Sequence, residues 1–178
     1  MTDGGYGTLA RWLHWLVAAL VICLIPTGLV MARLDPGDTQ DRLFVLHESF
    51  GLTVLGLMLL RAANRLRAPP RPAAQLTETE RRLSLSVHRA LYALLLATPI
   101  VGWLALSAYG LGPSFYGIGH GPALLAKDEP LSETLFHWHL AGGLLIAALI
   151  SLHIAGAVSH ARRDDGLIAR MSLFGSRK

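Results

Sequence analysis

The chain has 178 residues, of which 52% are hydrophobic and only 16% charged, and its mean hydropathy is +0.44. Soluble domains usually carry about 25% charged residues, so this deficit argues against a soluble protein and for one embedded in a bilayer. The net charge of +4 and pI near 9.7 call for no nucleic acid, because the basic residues cluster on one side of the predicted spans.

Four mainly apolar stretches, each about 20 residues or longer, are predicted to span: Leu9–Met31, Leu43–Ala63, Leu85–Ser107 and Leu135–Ser159. They predict an all-α integral membrane four-helix bundle, one domain over residues 1–178, with no internal repeat. The first stretch exceeds a signal-peptide core and lacks a small-x-small cleavage pattern, so it reads as retained. It holds His14 near its start and the single cysteine, Cys23, which excludes a disulfide and a Cys-x-x-Cys-His haem attachment. Pro26 and Gly28 near its end should bend the helix or open space beside it.

The second span opens on His47-Glu48 and closes on Arg61, fourteen residues beyond His47 and on the same face. A Pro-rich connection, Ala68–Ala74, precedes Thr77-Glu78-Thr79-Glu80, which reads as a helix cap leading into the third span. That span carries His88-Arg89 near its start and Pro99 with Gly102 later. The connection Ala108–Glu133, with five glycines and three prolines, is expected to fold over the mouth of the bundle, since bare backbone does not enter lipid.

The fourth span carries His139 and His153. Fourteen residues at about 100° each bring both imidazoles to within about 40° of one face, roughly 21 Å apart along the axis. That distance covers most of a bilayer's hydrocarbon core. Glycines one turn from ligands, Gly51 near His47 and Gly142 with Gly143 near His139, leave room for a flat macrocycle or for close helix packing. Trp12, Trp15, Trp103 and Trp138 fall near span ends, as interface anchors do.

On the side that holds the termini lie Arg11, Arg61, Arg65, Arg67, Arg71, Arg81, Arg82, Arg89, Arg162, Arg163, Arg170, Arg177 and Lys178. Only Arg33, Arg42 and Lys127 lie opposite, so both termini are expected in the cytoplasm.

Intramembrane ionisable groups are costly and mark function. With helices alternating in direction, His47 and His139 share the outer depth, while His14, His88 and His153 share the inner one. The arrangement predicts two haems, each an iron between imidazoles: His47 with His139 outside, His14 with His153 inside. His88 competes for the inner iron but adjoins Arg89 near the surface, where a propionate or quinone headgroup would lie. His137 points about 160° away from the His153 face and reads as interfacial. His160 reads as a solvated tail residue, and His120 has no assignable role. Arg61 is placed to pair with an inner-haem propionate. Zinc or copper fits less well without core carboxylates or thiolates.

These residues resemble the bacterial cytochrome b561 family over nearly the whole chain. The resemblance rests on Arg11-Trp12-Leu13-His14-Trp15, on Leu46-His47-Glu48-Ser49-Phe50-Gly51 with Arg61, and on His88, Tyr92, Pro99 and Gly102. It extends to Trp138-His139, Leu152-His153 and the tail from His160 through Met171. It implies two non-covalent haem b groups, an inner-membrane location and the same ligand pairing. Short stand-alone members are similar to superoxide oxidases, which implies electrons passing from periplasmic superoxide to ubiquinone or menaquinone. An anchor and electron conduit for a separate redox protein is the alternative. Against superoxide stands the outer side, where three Lys/Arg face seven Asp/Glu, a formal charge of −4 that repels an anion at long range.

Overall fold

The computed structural model describes residues 6–69 and 76–173. Most of the expected Pro-rich connection Ala68–Ala74, with Arg71, and the terminal Arg177 and Lys178 lie outside the described residues. Four long helices, α1 Thr8–Met31, α2 Asp38–Arg67, α3 Glu78–Tyr109 and α4 Glu129–Arg163, are each long and apolar enough to cross a membrane. The sequence spans lie inside them, and α2, α3 and α4 run further into the flanking polar residues. Those extra turns cost nothing outside the hydrocarbon, and charge favours them. Asp38 and Asp41 occupy the positive N-terminal turn of α2, and Arg65 and Arg67 its negative C-terminal turn.

Side chains set the other ends. Thr77 and Glu80 form the expected capping box at α3. Asp128 caps α4 by accepting the Leu131 N–H at 3.0 Å. Helix α3 ends on Gly110, whose φ of 100° is open to glycine at little cost. Pro26 and Pro99 both sit within unbroken helices.

Helix α1 packs on α2 and α3 on α4, with α2 joining the two pairs, whereas α1 and α4 barely touch. A layer of Val17, Val21, Val54, Met58, Leu91 and Ile146 fills the middle of the bundle. Ile146 lies seven residues from both His139 and His153, so this layer separates the two ends. Outward, Ile22, Leu60, Leu144, Ile154 and many other apolar side chains are exposed, as lipid contact requires.

The outer connection lies against the bundle, as its backbone demands. Its strands β1 Ser114–Phe115 and β2 Gly119–His120 pair antiparallel, an element not read from the sequence. Ser114 N–H donates to Glu48 Oε2 at 2.6 Å and Tyr116 N–H to the buried Ser49 Oγ at 2.7 Å. Ser107 Oγ accepts the Leu124 N–H, and Trp103 Nε1 donates to the Pro122 carbonyl.

At the opposite end a short 3-10 turn, Ile168–Met171, returns the chain to the start of α1. Arg11 Nη1 donates to the Ser172 carbonyl at 2.8 Å and Trp15 Nε1 to the Met171 carbonyl at 2.9 Å. The first and last described elements therefore meet at one end of the bundle. Trp15 thus ties down this strap, beyond anchoring an interface.

Candidate functional site

The histidines gather at the two depths expected from the sequence. At the outer end the His47 and His139 ring centroids are 5.9 Å apart with planes at 78°. At the inner end His14 and His153 are 6.2 Å apart with planes at 75°. Metal–imidazole bonds of about 2.0–2.1 Å, plus the ring radii, hold two imidazoles on opposite sides of a metal about 6 Å centroid to centroid. Both pairs have that spacing.

The outer imidazoles are positioned by the two helices that supply no outer histidine. His139 Nδ1 lies 2.9 Å from the Thr98 carbonyl of α3, so this nitrogen carries the proton and donates. The ring reaches that carbonyl because Gly102, one turn on, presents no side chain. Helix α1 repeats the device. The His47 ring lies beside the Leu24 carbonyl and over Gly28, where an added Cβ would be 2.9 Å from His47 Cε1. His47 Nδ1 itself is buried with no partner in hydrogen-bond geometry. The four-residue spacing of Leu24–Gly28 and Thr98–Gly102, each containing a proline, was the available sequence signal. It read only as a bend or a gap.

The outer pair opens onto a mostly apolar cavity of about 690 Å3 lined by all four helices. This is the size of a site for a large organic ligand. Gly51 and Gly143 line it with open space over their Cα atoms, as a macrocycle needs, while Gly142 packs on Thr98 and serves helix contact. Glu48, Glu129 and Glu133 are among its walls.

At the inner end three imidazoles meet, for His88 is 5.0 Å from His153 with planes at 87°. That spacing is too short for a metal held between opposed rings. His88 Nδ1 lies 2.6 Å from the Ser84 carbonyl one turn back, which fixes the ring against its own helix. His14 Nδ1, by contrast, is buried and unpartnered. Near these rings Arg61 and Arg65 both lie over the Tyr92 ring, at 5.3 and 5.5 Å from its centroid. Arg61 is close enough to act electrostatically on His14, His88 and His153. Arg65 and Tyr92 were not singled out as site residues by the sequence, because helical spacing alone does not say which loop-proximal arginine turns inward.

The remaining histidines divide. His137 is exposed, with Nδ1 2.9 Å from its own-helix Glu133 carbonyl, as its angular offset implies. His120 lies exposed on β2. His160 differs from the expected solvated tail residue: its Nδ1 is 2.6 Å from Asp165 Oδ2 and its side chain is only 13% exposed. The chain reverses just after α4 through Asp164, at φ 50°, and so brings Asp165 back to it.

Among the described residues no three His, Cys, Asp or Glu side chains converge as a metal site. Two imidazoles per site leave four positions of an octahedral metal to a planar macrocycle. Paired rings at metal-bridging distance and a slot walled by glycines at the outer pair fit haem.

Residues 5–172 match the family model of prokaryotic cytochrome b561. The chain is 28% identical over 170 residues to cytochrome b561 homolog 2 of Escherichia coli K12, covering 93% of this chain and 90% of that protein. It is also 28% identical over 173 residues to the probable superoxide oxidase CybB of Yersinia pestis, covering 93% and 95%. The chain belongs to the prokaryotic cytochrome b561 family: it is a multi-pass inner-membrane protein that binds haem b and transfers electrons.

Proposed function

We propose that this cytochrome is a two-haem oxidoreductase that moves electrons from periplasmic superoxide to ubiquinone, or menaquinone, across the inner membrane. The observation that carries the reading is the presence of two imidazole pairs of metal-bridging spacing, set fourteen residues apart on α4. His47 and His139 would hold the outer haem and His14 and His153 the inner one, with Arg61 and His88 beside the inner haem. Bound haem supplies reversible one-electron chemistry. The thirteen-to-three distribution of Lys/Arg supports a topology with both termini in the cytoplasm. Overall, two superoxide ions each lose one electron to become dioxygen, and one quinone takes two electrons and two protons to become quinol. The similarity to a probable superoxide oxidase along nearly its whole length supports this choice of donor.

A second reading, an electron conduit for a separate redox protein, is favoured by Glu48, Glu129 and Glu133 in the outer cavity wall. Negative walls repel an anion at range and attract a basic protein. Stopped-flow mixing of the oxidised protein with superoxide, read at the haem α-band, decides between the two. Fast reduction that superoxide dismutase abolishes and added quinone reverses supports superoxide oxidation. Reduction by dithionite but not by superoxide sinks it in favour of a protein donor.

A further inference from the structure

The two ends of the bundle offer an electron very different surroundings. At the outer pair His139 donates Nδ1–H to the Thr98 carbonyl. A hydrogen bond of this kind makes an imidazole a stronger donor and so favours the oxidised metal. The carboxylates of Glu48 and Glu133 in the cavity wall favour the same state, whereas that of Glu129 is offset by its ion pair with Lys127 at 3.0 Å. At the inner pair the conditions reverse. The Arg61 and Arg65 guanidiniums converge on Tyr92 near the imidazoles, and Arg61 is close enough to act on both His14 and His153. Fixed positive charge there stabilises the reduced metal. Four helical turns, about 21 Å, separate the two sets, so each charge acts mainly on its own end.

We propose that the chain itself orders the two reduction potentials, lower at the outer pair and higher at the inner pair, so that electrons run downhill toward the cytoplasm. The inference rests on the haem-ligand reading above. One electron leaves the outer site as one arrives at the inner site, across the apolar layer of Val17, Val21, Val54, Met58, Leu91 and Ile146. Arg61 and Arg65 are positioning residues of the inner potential, and the Thr98 carbonyl and Glu48 of the outer one.

Potentiometric titration of the purified, haem-loaded protein in nanodiscs, followed at the α-band, tests this. Wild type should show two one-electron components. His139→Ala should drop the haem-to-protein ratio from two to one and leave the higher component. Arg61→Gln should lower that component at least tenfold in its reduction equilibrium, 59 mV for one electron, with the lower component unmoved. Glu48→Gln, which keeps an acceptor for the Ser114 N–H, should raise the lower component. A single haem in His139→Ala that titrates at the lower potential overturns the ordering and leaves the ligand reading standing. Retention of both haems in that variant overturns the ligand reading itself. Should Arg61→Gln not hold haem, Arg65→Gln carries the same test. Charge variants that move neither component overturn the electrostatic origin.

Discussion

The His139 imidazole stands where a side chain at position 102 would be: a Cβ built on Gly102 would lie 2.8 Å from His139 Nδ1 and 2.9 Å from Cε1. Two helices thus set the position of one imidazole, α4 by supplying the ring and α3 by leaving the space and offering the Thr98 carbonyl.

Gly102→Ala should therefore push His139 off that carbonyl, and Gly28→Ala should displace His47 in the same way. Each is expected to lower haem content from two per chain toward one, with helix content unchanged by circular dichroism. Pyridine haemochrome assay against protein concentration checks it. Full haem content in both alanine variants would mean that neither glycine matters to the outer ligands.

Among the inner histidines, spacing favours His14 over His88 as the proposed partner of His153. His14 is 6.2 Å from His153 and His88 is 5.0 Å away. His14→Ala should lose the inner haem, whereas His88→Ala should keep two haems with a changed α-band or potential. Loss of one haem in His88→Ala with two retained in His14→Ala would exchange their roles.

Gly142 serves packing between α3 and α4, since a Cβ there would meet Thr98 Oγ1 at 2.6 Å. Gly142→Ala should destabilise the protein by about 1–3 kcal/mol through overpacking. Thr98→Ala, which removes the opposing hydroxyl and methyl but keeps the carbonyl, should restore much of that loss in the double variant. Thermal unfolding of the four proteins of the cycle gives the answer, and simple additivity would deny the contact.

The C-terminal strap should be acid-resistant. The hydrogen bond from His160, and then the Leu167 N–H, hold the Asp165 carboxyl below its ordinary value of 3.8. A carboxyl lowered in the folded state adds stability above its unfolded pKa and loses it as pH falls through the folded one. The strap should stay closed from neutral pH down to about the range where a free aspartate titrates, and loosen only below. Hydrogen exchange over residues 164–173, corrected for intrinsic rate, would show this, and Asp165→Asn should exchange quickly already at neutral pH. Equal protection in wild type and variant would remove the latch.

Much of this protein was legible along the chain because a bilayer imposes strict one-dimensional rules. Apolar length gave the four helices, and the turn angle of α4 put His139 and His153 on one face. Helix alternation gave each a partner at its own depth, and the structure brings His47 to His139 and His14 to His153. Thr77 and Glu80 announced the start of α3, since a capping box is local.

What remained depends on which helix faces which, and no local rule carries that. The sequence left Gly51, Gly142 and Gly143 open between room and packing; only the neighbour across each divides them, Thr98 for Gly142 and open cavity for the other two. Likewise His160 read as solvated until a reversal at Asp164 brought Asp165 to it. Arg65 and Tyr92 join Arg61 through rotations of α2 and α3 that hydropathy does not fix. Residue type and spacing determined the depth of the imidazoles in the four spans, because rise and turn per residue are properties of a single helix. The partners of each ring were decided only in the folded bundle, where carbonyls, glycines and charges from separate helices converge within a few ångströms.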